Sequence, residues 1–133
     1  MKVKDSFFIE RKFTKEDLMN FSKLSGDTNP LHTDEAYAQT TPFKRCVVHG
    51  ALLNSLFSAI LGCHFPGDGT IYAKQATTFI KPVYVDEHLI VSVEVVKVEK
   101  EKRKAWLKTL ITRLDEVVVS GEAVVIYPER GEE

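Results

Sequence analysis

Hydrophobic positions change their period near residue 70, and that change divides the chain into a helical and a stranded half. Phe7-Phe8-Ile9 forms a short strand candidate. Thr14, with Asp17 three residues on, makes a capping-box-like start to a helix in which Leu18, Phe21 and Leu24 are spaced to share one buried face. Ser25-Gly26 supplies its end, and Pro30 pushes Asn29 toward extended backbone, so residues 26–33 are expected to form a fixed, non-helical loop. A helical turn over Asp34 to Ala38 and an irregular stretch through Thr41-Pro42 follow.

From Gly50 to Gly62 the chain is apolar on most sides, through Leu52, Leu53, Leu56, Phe57, Ile60 and Leu61, as in a helix enclosed by other elements. Ala51, Ser55, Ser58, Ala59 and Gly62 fall near one stripe, which predicts a face of small side chains that a sheet could approach closely. Pro66-Gly67-Asp68-Gly69 has turn chemistry. Beyond Thr70 the runs 70–81, 88–100, 104–114 and 117–127 read as strands, rich in Val, Ile, Thr and Tyr. Leu89, Val91, Val93 and Val95 share a parity that Val96 and Val98 break, so a bulge is expected near Val95. Short polar links predict antiparallel hairpins and a four-strand meander. The resulting expectation is one α+β domain over residues 1–133, with an antiparallel sheet wrapped around the long apolar helix.

Composition narrows the partners. With 18 basic and 19 acidic residues the formal charge is −1, and the two signs are interspersed, so no electrostatic footprint for nucleic acid or an anionic membrane is present. Cys46 and Cys63 lack ligand or disulfide-framework spacing, which makes a reducing cytoplasm the expected setting. No run suited to a signal peptide follows Met1, and Ala51 to Cys63 is too short and too interrupted by Asn54, Ser55 and Ser58 to span a bilayer.

Two places could carry chemistry. Asp27 and His32 put a carboxylate and an imidazole five residues apart on a restrained loop, a combination suited to holding a water or exchanging protons. By residue type alone they read equally well as an Asx-type turn and a surface histidine. At His49-Gly50 the long helix begins, where unpaired N–H groups and partial positive charge could meet a carbonyl oxygen gaining negative charge. The plainer reading is a turn glycine beside a half-buried histidine. Recognised metal-ligand spacings are lacking among His32, His49, Asp27 and Cys46, and no metal is expected. Ser55 and Ser58 lack a nucleophile-elbow setting, and no phosphate-binding glycine loop or dinucleotide fingerprint occurs.

The run Phe21-x-x-Leu24-Ser25-Gly26-Asp27-x-Asn29-Pro30-Leu31-His32 resembles the signature of R-specific enoyl-CoA hydratases, within the MaoC-like dehydratase group of hot-dog folds. The likeness continues through Val48-His49-Gly50-Ala51-Leu52, Ser55-Leu56-Phe57-Ser58, Pro66-Gly67, Ile71-Tyr72, Gln75, Phe79 and Pro82-Val83, and spans residues 10 to 127. Cys46, Lys74 and Thr77-Thr78 depart from the pattern and bear on acyl-chain preference. The resemblance implies that Asp27 and His32 activate a water, that the Gly50 amide polarises a thioester carbonyl, and that Asn29, His49, Leu53, Phe57 and Ser58 belong to the substrate site, Ser58 in a supporting role. It further implies a hot-dog fold, an acyl-CoA substrate, no cofactor, and a homodimer or an assembly of dimers. A 3-hydroxyacyl-ACP dehydratase, a hot-dog thioesterase and a non-catalytic acyl-CoA-binding protein are the alternatives.

Overall fold

The computed structural model describes residues 1–129, in which five strands form one antiparallel sheet. They are β1 (Ser6–Arg11), β2 (Ile71–Phe79), β3 (Leu89–Glu99), β4 (Lys104–Arg113) and β5 (Glu116–Ile126), arranged β1-β3-β4-β5-β2. Four helices precede β2 in the chain: α1 (Lys15–Ser25), α2 (Pro30–Thr33), α3 (Glu35–Gln39) and α4 (Gly50–Cys63). Among the described residues, no helix is long and apolar enough to cross a membrane.

The alternating strand pattern and the apolar helix meet in one core. Leu89, Val91, Val93 and Val95 of β3, with Leu107 and Ile111 of β4 and Val119, Ala123 and Val125 of β5, turn inward against Leu53, Leu56, Phe57, Ile60 and Leu61 of α4. The parity break is a bulge, with the β3–β4 register shifting between Val95 and Lys97. In α1 the capping box forms as the sequence predicts, Thr14 Oγ1 accepting from Asp17 N–H and Asp17 from Thr14 N–H. Gly26 closes that helix in the left-handed conformation, φ 83°.

Four expectations fail, each for an identifiable reason. Leu24 is 87 % exposed, and the inner face of α1 is made by Leu18 and Ser22 instead. Residues 30–33 are not a loop but the one-turn helix α2: Pro30 opens it, and the Asn29 side chain caps it by accepting from Leu31 N–H at 3.0 Å. The strands after residue 70 are not a simple meander, because β2 pairs with β5 rather than with β3. Residues 80–88, broken by Pro82, form a crossing segment whose Tyr84 bridges to Val47 and whose Val83 is buried. Finally, the sheet does not approach the small-residue stripe of α4. Ala51, Ser55 and Ser58 are exposed, and nothing lies within 4 Å of a Cβ built on Gly62.

The close approach occurs elsewhere. At Gly121, opposite Thr77 in the β2–β5 pair, an added Cβ would sit 2.1 Å from the Ala76 carbonyl oxygen, a backbone atom that cannot swing aside. Gly121→Ala is expected to cost at least the ~1–3 kcal/mol typical of overpacking and to lower the thermal midpoint accordingly, read by calorimetry. An unchanged midpoint would show that β2 can separate from β5 at no cost.

Candidate active site

The loop from α1 into α2 is built from side chains that satisfy backbone groups. Asp27 N–H donates to Ser25 Oγ at 3.1 Å, Asn29 N–H donates to Asp27 Oδ1 at 3.3 Å, and the Asn29 cap then starts α2. Asp27 Oδ2 is left available, on an exposed residue. One turn later, His32 Nδ1 lies 2.7 Å from the Val47 carbonyl oxygen. A carbonyl only accepts, so Nδ1 carries the proton and Nε2 of the neutral ring is a bare acceptor.

His49 sits beside this ring. It is 1 % exposed, stacks on His32 at 3.9 Å between centroids and 24° between planes, and meets Phe21 edge-on. Its Nε2 is 2.8 Å from Ser22 Oγ, while its Nδ1 is buried without a hydrogen-bond partner. Burial and then the neighbouring His32 push the His49 pKa below the ordinary value, outweighing the opposing pull of Asp27. His49 is therefore held neutral, as a flat wall against which the His32 ring is fixed.

A donor atom from each of Asp27, His32 and His49 lies within 4.8 Å of the others. One water can bridge two acceptors at such a spacing with hydrogen bonds of ordinary length.

His49 also delivers the chain into α4. Its backbone, φ −58° and ψ 136°, is extended, and its side chain does not cap the helix, so the first amides of α4, which have no intrahelical acceptor, gain none from His49 either. Gly50 and His32 line one cavity of about 430 Å³, with Leu53, Phe43, Val47 and Val48 on the helical side and Phe79 to Val83 opposite. Phe79 leans over the helix start: its ring is 2.9 Å from where a Gly50 Cβ would lie. β2 is held along α4 by Thr77 Oγ1, which donates to Asn54 Oδ1 at 2.7 Å, and Gln75 Nε2 donates in turn to Thr77 Oγ1 and to buried Thr109 Oγ1. On the far wall, Arg113 Nη1 donates to the Pro82 carbonyl at 2.7 Å and to Glu87 Oε1 at 2.9 Å, tying the crossing segment to β4.

Asp27, His32, His49, Gly50 and Leu53 are thus gathered within or beside one apolar cavity. Asn29 caps α2 just outside it, Phe57 is directed into the core, and Ser58 lies on the exposed face of α4. Phe43, Phe79, Ile80 and Val83 are cavity walls that residue type did not disclose. Ser22, on the inner face of α1, was equally silent. For Phe79 and Pro82-Val83 the sequence does hold a signal, since they fall within the matched pattern, but a pattern does not say which face a residue presents.

A family profile described as "MaoC like domain" matches residues 3–118. The chain is 44 % identical, over 90 % of its length and 90 % of the relative's, to an (R)-specific enoyl-CoA hydratase of Aeromonas caviae. A 3-hydroxyacyl-[acyl-carrier-protein] dehydratase of Solanum lycopersicum is 39 % identical, over 89 % of this chain and 72 % of that one. Among solved structures, the (R)-hydratase from A. caviae involved in PHA biosynthesis superposes with a TM-score of 0.93 at 41 % identity, covering 96 % of this chain and 98 % of that one. The fold is that of these hydratases, the hot dog.

Proposed function

The chain belongs to the MaoC-like domain family, and from that footing we propose that it is an (R)-specific enoyl-CoA hydratase, a hydro-lyase that reversibly adds water to a trans-2-enoyl-CoA to give an (R)-3-hydroxyacyl-CoA. The observation that carries the mechanism is the tautomer of His32: with Nδ1–H committed to the Val47 carbonyl, Nε2 and the Asp27 carboxylate are two acceptors for one water. The water donates one O–H to each and keeps an oxygen lone pair free to attack C3. As the C–O bond forms, the pair takes a proton from the water and returns one to C2. Negative charge gathering on the thioester oxygen meets the Gly50 amide at the positive end of α4. The conjugated thioester is its own electron sink, so the reaction draws on no cofactor.

Stereochemistry is the test. Water held by Asp27 and His32 reaches the planar enoyl group from one side, while Leu53, Phe43 and Phe79 supply apolar walls. Crotonyl-CoA is expected to give a single enantiomer, (R), when the product is hydrolysed and resolved on a chiral column. An (S) product would overturn the assignment of hand, a racemate would overturn the one-sided geometry, and release of CoA without hydration would make the protein a thioesterase.

The domain occupies residues 1–133 in this reading, and the enzyme works as a homodimer. Support for the dimer comes from β2, which ends the sheet with its outer side unpaired among the described residues. Two free cysteines, Cys46 and Cys63, accord with a reducing cytoplasm. The 39 % identical tomato relative favours a second reading, in which the acyl group arrives on a carrier protein.

A further inference from the structure

Near the residues that line the cavity, Arg45 takes no part in the ion pairs found among the described residues. Arg45 lies over Tyr84, its guanidinium carbon 3.9 Å from the ring centroid. Tyr84 is itself fixed: its backbone bridges to Val47, its N–H donates to Glu87 Oε1 at 2.7 Å, and its hydroxyl donates to the Phe43 carbonyl at 3.3 Å. Phe43 and Val47 line the cavity, and Tyr84 is bonded to both, so the guanidinium over its ring lies close to that wall.

A guanidinium stacked through its face keeps its edge N–H donors pointing away from the ring. Among the described residues no carboxylate lies within 4.0 Å of Arg45, although it is exposed, whereas Lys81, the cation that lines the cavity, is bonded to Glu116. A planar fork of donors without a carboxylate partner, beside a largely apolar cavity, matches a phosphate group. The chain keeps it within reach of the proposed oxyanion donor. Residues 45 and 50 are separated by at most ~17 Å of extended chain, about the length at ordinary bond lengths of the arm joining a thioester to the pyrophosphate of coenzyme A.

We propose that Arg45, held on Tyr84, binds a phosphate of the coenzyme A arm and gives the site its preference for a phosphorylated thioester; this rests on the hydratase reading. The experiment compares three crotonyl thioesters, of coenzyme A, of 4′-phosphopantetheine and of N-acetylcysteamine, which carries no phosphate. In Arg45→Gln, kcat/KM for the coenzyme A thioester relative to the N-acetylcysteamine thioester is expected to fall about 10- to 100-fold, the scale of lost charge-assisted hydrogen bonds, with the change in KM rather than kcat. If the phosphopantetheine thioester suffers equally, the phosphate is the one that a carrier protein's arm also bears. If it behaves like the N-acetylcysteamine thioester, the phosphate is farther out on the nucleotide and the site selects coenzyme A over a carrier.

An equal loss on all three substrates, or none on any, would overturn the assignment. Calorimetric titration with free coenzyme A separates this from the hydratase reading. If the wild type turned over no thioester, that reading would fall, and weaker binding to Arg45→Gln would still uphold the phosphate site. Equal binding by both proteins, or none to either, would remove it.

Discussion

Asp27→Asn and His32→Gln should each slow hydration of crotonyl-CoA by ~10²–10⁴, the scale of a lost positioned acid or base. Both substitutions preserve the shape of the site. Asparagine still offers Oδ1 to the Asn29 N–H, and glutamine can still donate to the Val47 carbonyl while presenting an oxygen to the water. What each loses is the ability to take a proton. The double variant should be scarcely slower than either single one, because one water held by two groups is disabled when either fails. Steady-state kinetics on variants with unchanged circular dichroism decides it: retention of more than about a third of the activity in both, or fully multiplicative effects, would separate Asp27 and His32 into unrelated roles.

Gly50→Pro removes a donor while leaving the helix its natural start. Proline is tolerated at the first helical position, and His49 already has the extended backbone that a residue preceding proline requires. A new Cβ would press on the Phe79 ring, so Gly50→Ala is the needed comparison: it introduces the same Cβ and keeps the N–H. Phe79 is half exposed and its ring is the far end of a flexible side chain, so it can yield. Against the alanine variant, the proline variant should lose a further ~10²–10³ in kcat, about 3–4 kcal/mol in the barrier. Equal rates for the two would move the polarising group away from the Gly50 amide.

Local signals were legible where the physics is local. The Thr14 cap, the Gly26 stop, the enclosed helix and the Val95 bulge each depend on a few neighbouring residues, and each is where the sequence predicts it. Leu24 misled because hydrophobic spacing marks a stripe without saying how wide the covering surface is. The pairing of β2 with β5 was hidden for a related reason. Every strand alternates alike, and nothing in residues 80–88 states that the chain will cross before it resumes as β3. Asp27, His32 and Gly50 stood out by residue type and position, yet the features that give them meaning are long-range: the Val47 carbonyl that sets the His32 tautomer, the Ser22–His49 contact and the Phe79 ring over Gly50.

The bond from His32 to Val47 has a consequence for how such a site can change over time. Val47 stands three residues before Gly50, so the imidazole and the amide are registered against each other through a short piece of backbone, independently of the sheet's outer surface. Exposed side chains of the inner strands, such as Ile90, Glu94 and Lys108, are free to drift without disturbing the proposed reacting groups. Selection for a different acyl chain can act on the detachable walls, Phe43, Phe79 and Ile80, while the proton-transfer geometry is inherited unchanged. New substrate ranges are therefore reachable by single steps that each leave a working enzyme.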